Sequence, residues 1–138
     1  MCLKSDENIV ENNIINGYVS YGILLINSDN NVIQWNEFSS QGISVSLTMS
    51  NGNTIRYNNF LDVVTNAYFI NSYGTTWDGN YWLLWPHILP KPIFGGYAPL
   101  FNKWNLLILY IPLVNLDLHP ASETIRYLNN PLSPSFKI

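Results

Sequence analysis

Through residues 1–82 the apolar positions come in short bursts, and no helical stripe joins them. Asn31-Val32-Ile33-Gln34 alternates, which predicts a strand with Ile33 facing inward and Gln34 facing solvent. Asn36 then marks a corner, and Phe38 opens the next face. A second strand is expected after each corner, at Gly22-Ile23-Leu24-Leu25-Ile26, Gly42-Ile43-Ser44-Val45 and Ala67-Tyr68-Phe69-Ile70. Aligned on the Gly-Ile pairs, the inward candidates are Ile23/Leu25, Ile43/Val45 and Tyr68/Ile70. Leu24, Ser44 and Phe69 then face outward.

The bursts belong to a repeat. Its copies are Asn8-x-Val10-x-x-Asn13-x-Ile15, Asn31-x-Ile33-x-x-Asn36-x-Phe38, Asn53-x-Ile55-x-x-Asn58-x-Phe60 and Thr75-x-Trp77-x-x-Asn80-x-Trp82. The second Asn of each returns after 23, 22 and 22 residues, the signature of a solenoid. About 22 residues at ~3.3 Å each trace a loop of roughly 70 Å, the size of one turn of a coil with short strands. Stacked turns pair in parallel, and one turn buries too little apolar surface to stand without neighbours. Asparagine tolerates the left-handed backbone of a sharp bend, and its amide both donates and accepts along a stack. Asn13, Asn36, Asn58 and Asn80 are therefore read as corner-formers and a structural ladder.

Proline divides the chain. All eight prolines lie at or after Pro86, whereas strands that donate every ladder hydrogen bond exclude them. This predicts coils over residues 1–82 and a proline-rich apolar cap and tail over 83–138. The run Leu106–Leu116 (LLILYIPLVNL) is 11 residues with an internal proline, against the ~20 apolar residues of a membrane-spanning helix. It is read as a buried strand or cap segment, and no membrane span is expected.

Composition narrows the function. Charged residues make up 11% of the chain and the net charge is −3, with no basic cluster to meet phosphates, so no nucleic-acid partner is expected. Of 20 asparagines, 15 lie before residue 83. Cys2 is the single cysteine and forms no internal disulfide. No apolar signal-peptide core precedes the first repeat, and no N-terminal cap is seen. The expectation is the C-terminal part of a larger protein. Its open first coil would meet upstream coils of that protein or associate with a second copy.

The N-x-I-x-x-N-x-[IF] turns, the Gly-Ile strands and the closing Asp78-Gly79-Asn80-Tyr81-Trp82 resemble the right-handed parallel β-helix repeat proteins. That group includes NosD-like periplasmic copper-binding proteins and relatives described as carbohydrate-binding proteins and sugar hydrolases. Residues 8–82 carry the likeness. Leu89-Pro90-Lys91-Pro92-Ile93-Phe94-Gly95 and Asp117-Leu118-His119-Pro120-Ala121 also look like C-terminal segments of members. The resemblance implies an all-β, right-handed parallel β-helix of about four coils with an irregular C-terminal cap. It also implies an extracellular, cell-surface or periplasmic location. It does not fix activity.

Candidate chemistry is sparse. Glycoside hydrolysis needs two carboxyl groups about 5–9 Å apart. Asp6 and Asp29 are in register, each two residues before the first Asn of its repeat, but Asn51 and Tyr73 follow them. Glu37 and Asp62 both follow corners. Solvated turn acids are the preferred reading over a catalytic or Ca²⁺-binding pair, so no catalytic residue is assigned. Glu11, Gln34, Arg56 and Asp78 form an outward stack, with Arg56 and Asp78 adjacent across coils. Trp35 and Tyr57 share the position before the corner Asn, and if exposed they form a platform for sugar rings. Carbohydrate-binding candidates are therefore Trp35, Tyr57, Gln34 and Arg56, with a polysaccharide as partner. Copper prefers clustered His, Met or Cys. Cys2, Met49, His87 and His119 are dispersed, so no metal site and no cofactor is assigned. The expected function is a non-catalytic structural or carbohydrate-binding module. The alternatives are the remnant of a polysaccharide lyase or hydrolase, or a NosD-like copper-delivery accessory protein.

Overall fold

The computed structural model describes residues 1–62, 65–98 and 110–125. They form a parallel β-solenoid of about four turns, with these strands in chain order: β1 (Cys2–Leu3), β2 (Ile9–Glu11), β3 (Ile14–Ile26), β4 (Val32–Gln34), β5 (Glu37–Thr48), β6 (Thr54–Arg56), β7 (Asn59–Phe60), β8 (Thr65–Ile70), β9 (Thr76–Asp78), β10 (Tyr81–Trp82), β11 (Lys91–Tyr97) and β12 (Ile111–Asp117). One face stacks β2, β4, β6 and β9 with Ile33 over Ile55 and Ile55 over Trp77. A second stacks β1, β3, β5 and β8. The third joins the starts of β3 and β5 to β7 and β10. Among the described residues no helix is long and apolar enough to cross a membrane.

The core is a set of columns running along the axis. Ile33 and Ile55 are fully buried, as are Phe38 and Phe60, with Trp77 and Trp82 beneath them in the last coil. Phe38, Phe60 and Trp82 stack face to face, with centroids 5.1 and 4.2 Å apart and interplanar angles of 6° and 11°. The other inward columns are Ile23–Val45–Ala67 and Leu25–Leu47–Phe69.

That register corrects the alignment on the Gly-Ile pairs. Leu47 and Phe69 point inward and Ser44 is buried, whereas Ile43, Tyr68 and Ile70 are only half-buried. Ile43 stands opposite Tyr21, because the ladder shifts register between Asn16 and Val19. A slip of one residue exchanges the two faces of a strand, as happens at Tyr68 and Phe69.

The cap is more regular than the proline content implies. β11 and β12 form an antiparallel hairpin from Lys91↔Asp117 to Tyr97↔Ile111. Each of its strands continues one face of the solenoid, β11 pairing with β8 and β12 with β9. The hairpin thus covers two exposed strand edges at the last coil. The apolar run is a cap strand where it is described, with Leu113 packed against the core and its other large apolar side chains exposed. Residues 106–109 lie outside the described residues, as do 126–138. In β12, Ile111, Val114 and Leu116 are exposed while Asp117 is fully buried.

Candidate functional site

Each coil turns three corners, and the corners share a pattern. A residue in the left-handed conformation is followed by a polar side chain, which at all of these positions except Thr75 enters a hydrogen-bonded column. At the first corner Asn27, Met49 and Asn71 (φ 47–48°) precede Ser28, Ser50 and Ser72. At the second, Glu7, Asn30, Gly52 and Gly74 precede Asn8, Asn31, Asn53 and Thr75. At the third, Asn12, Trp35, Tyr57 and Gly79 precede Asn13, Asn36, Asn58 and Asn80. The left-handed residue is thus the one before the ladder asparagine. The ladder residue itself turns its amide along the axis.

In the third-corner column, Asn13 Nδ2 donates to Asn36 Oδ1 at 3.0 Å, Asn36 Nδ2 to Asn58 Oδ1 at 3.1 Å, and Asn58 Nδ2 to Asn80 Oδ1 at 3.1 Å. The backbone N–H of each donor residue reaches the same oxygen. Every Oδ1 therefore accepts from the coil before it, and the column has a direction. It ends on Asp117 of the cap. Asp117 Oδ2 accepts from Asn80 N at 3.1 Å, Asn80 Nδ2 at 2.9 Å and Trp82 Nε1 at 3.0 Å. A carboxylate suits this end because it accepts several bonds and has no proton of its own to place.

A parallel column runs Asn8–Asn31–Asn53. A third uses serine, with the N–H groups of Ser5, Ser28 and Ser50 donating to the next coil's Oγ at 3.0–3.1 Å. The sequence reading missed the serine column, although Ser5, Ser28, Ser50 and Ser72 recur at the same 23, 22 and 22 steps.

The acid pairs have structural partners. Asp6 Oδ1 accepts from Asp29 N at 2.7 Å, Asp29 Oδ1 from Asn51 N at 2.6 Å, and Asn51 Oδ1 from Tyr73 N at 2.9 Å. The stack continues past Asp29 after all, as a column of backbone acceptors. Glu37 stands opposite Asn59 and Asp62 accepts from Ser44 Oγ, so no pairing of those two acids is formed through the register.

The outer stack is only partly as expected. Gln34 was expected to face solvent, yet it is buried, because both ends of its amide are held by neighbours. It donates to Glu11 Oε2 at 2.6 Å and accepts from Arg56 Nε at 2.9 Å. Arg56 stands opposite Asp78 but turns to Gln34 and to the Tyr57 ring, 5.7 Å from its centroid. Asp78 pairs instead with His119 Nδ1 at 2.9 Å, in an exposed position. Trp35 and Tyr57 are both 37% exposed and stack on each other, with centroids 6.4 Å apart and 14° between planes. The Tyr57 ring lies against Gly79, where a Cβ would come within 2.6 Å of Cε1. The Tyr57 ring therefore lies over the next coil toward the cap, and both rings stay partly exposed.

Against this geometry, the family described as periplasmic copper-binding protein (NosD) matches residues 1–84, more than half of the chain. The chain belongs to this family. No curated protein and no solved structure matches it. Among the described residues, the copper of the NosD description finds no fitting site. Among the described residues no group of three or more His, Cys, Asp or Glu is placed to hold a metal ion. Cys2 is a lone exposed thiol, and His119 is engaged with Asp78. A soft ion such as Cu(I) needs several such ligands together.

Proposed function

We propose that this NosD-family chain is a non-catalytic β-solenoid module that holds a saccharide along the Trp35–Tyr57 side of its outer wall. One observation carries the reading. Trp35 and Tyr57 occupy left-handed positions, φ 53° and 55°, where the flanking coils have Asn12 and Gly79. The left-handed conformation costs a residue with a Cβ roughly 1–2 kcal/mol, which Gly escapes and Asn lessens. The rings offset part of this by stacking on each other, and both remain 37% exposed. Strain kept at an exposed position supports a surface role. The exposed part of the Trp35 ring suits the C–H face of a sugar ring, and Arg56 beside Tyr57 suits its hydroxyls. Gln34 serves to position Arg56. The non-catalytic part rests on the acids, since Asp6, Asp29 and Asp62 hold backbone or serine donors. The family description supports a periplasmic location.

A glycan array tests this with the intact chain and with Trp35→Ala and Tyr57→Ala. The expected result is binding to a polysaccharide that falls at least tenfold in either variant. No binding to any glycan removes the reading. Depolymerisation of an acidic polysaccharide by the chain alone overturns the non-catalytic part.

A further inference from the structure

A recess of about 350 Å³ opens where the last coil meets the cap, between residues 66–68 of β8 and residues 91–94 of β11, with Trp82 on its inner side. A proline lies along the gap. β8 and β11 pair only at Gly95↔Phe69 and Gly96↔Ile70. Gly96 turns its carbonyl to this edge, accepting from Asn71 N at 2.9 Å. By the two-residue period of a strand, Pro92 faces the same edge, and it has no N–H to donate. The paired stretch stops short of it and the strands part.

Three features of the recess are incomplete without a ligand. The Lys91 ammonium lies 4.4 Å from the Trp85 ring centroid and 5.7 Å from that of Trp82. The rings stabilise its charge, yet its three N–H donors bond to no acceptor among the described residues. Burial lowers the Lys91 pKa below the ordinary lysine value. Asn66 is 9% exposed, and its buried Oδ1 receives no hydrogen bond. An orphaned buried acceptor calls for a donor. Tyr68 and Phe94 add two aromatic rings to the lining. The Tyr110 hydroxyl donates to Gly95 O at 2.8 Å, so the Tyr68 hydroxyl donates to Tyr110 and keeps lone pairs to offer.

We infer that this recess binds a carboxylated sugar. Its carboxylate meets Lys91 Nζ, a hydroxyl donates to Asn66 Oδ1, and its C–H face lies on Tyr68 and Phe94. A simple carboxylate satisfies Lys91 alone and a neutral sugar satisfies Asn66 alone; a uronic acid satisfies both. The site goes beyond the Trp35–Tyr57 strip and stands without it.

The test is titration of the full chain with galacturonate, acetate and glucose, followed by calorimetry and by the indole N–H signals of Trp82 and Trp85 in NMR. Galacturonate is expected to saturate and shift these signals, with acetate and glucose at least tenfold weaker. Lys91→Gln is expected to weaken galacturonate at least tenfold, and Asn66→Ala severalfold. Lys91→Arg should retain binding. Absence of saturable galacturonate binding overturns the inference. So does equal binding of glucose or acetate, or undiminished affinity in Lys91→Gln. Should Lys91→Gln fail to fold by near-ultraviolet circular dichroism, the three-ligand comparison on the unchanged protein and Lys91→Arg decides.

Discussion

Two asparagine columns run side by side through the same coils and end differently. The column from Asn13 finishes on Asp117, whose Oδ2 collects three donors. The column from Asn8 finishes at Thr75, whose Oγ1 is buried without a partner. Both columns carry their donors toward the cap. A directional column needs an acceptor at its last coil, and the hairpin brings one to the first column only.

Substitutions along the two columns should differ in cost according to how each column ends. Asp117→Ala should have the largest effect. It strands three buried donors, and each unsatisfied group costs about 1–3 kcal/mol, so a loss of roughly 3 kcal/mol or more is expected in urea unfolding. Asn58→Ala, mid-column, removes the acceptor of two bonds from Asn36 and should cost about 2–4 kcal/mol. Asn13→Ala, at the exposed first coil, should cost under about 1 kcal/mol by the same measurement. At Thr75 the sign should reverse. Thr75→Asn supplies the missing acceptor and is expected to raise stability by about 1 kcal/mol. The smallest effect concerns the strained corner. Trp35→Gly relieves the left-handed backbone and loses one ring stack worth ~0.5–1.5 kcal/mol, so net stability should move by less than about 1 kcal/mol. Its saccharide binding should nonetheless disappear.

These contrasts also show what the sequence can tell. The coil period is legible because the asparagines return at a nearly constant step, and the parallel solenoid follows from it. Strand register is harder. Gly22 and Gly42 look equivalent, but Gly22 lies beside Ser44, where an added Cβ would come within 2.6 Å of the Ser44 carbonyl oxygen. The shift between Asn16 and Val19 absorbs the difference and carries no sequence marker. The left-handed residue was assigned to the ladder asparagine, because Asn is suited to both jobs. The structure separates them, and that exposes the cost held at Trp35 and Tyr57. Asp117 was hidden for another reason: it lies 37 residues beyond Asn80, in a segment without the repeat. The recess at Lys91 was equally illegible, since it depends on where two strands part.

The central claim is that Asp117 closes the Asn13 column as its terminal acceptor. A double-mutant cycle between Asn80→Ala and Asp117→Ala, measured by urea unfolding, tests it most directly. The predicted coupling is at least about 1.5 kcal/mol, because either single change already removes the charge-assisted bond from Asn80 Nδ2 to Asp117 Oδ2, while the Asn80 backbone bond is lost only with Asp117. Additivity within about 0.5 kcal/mol would contradict the account.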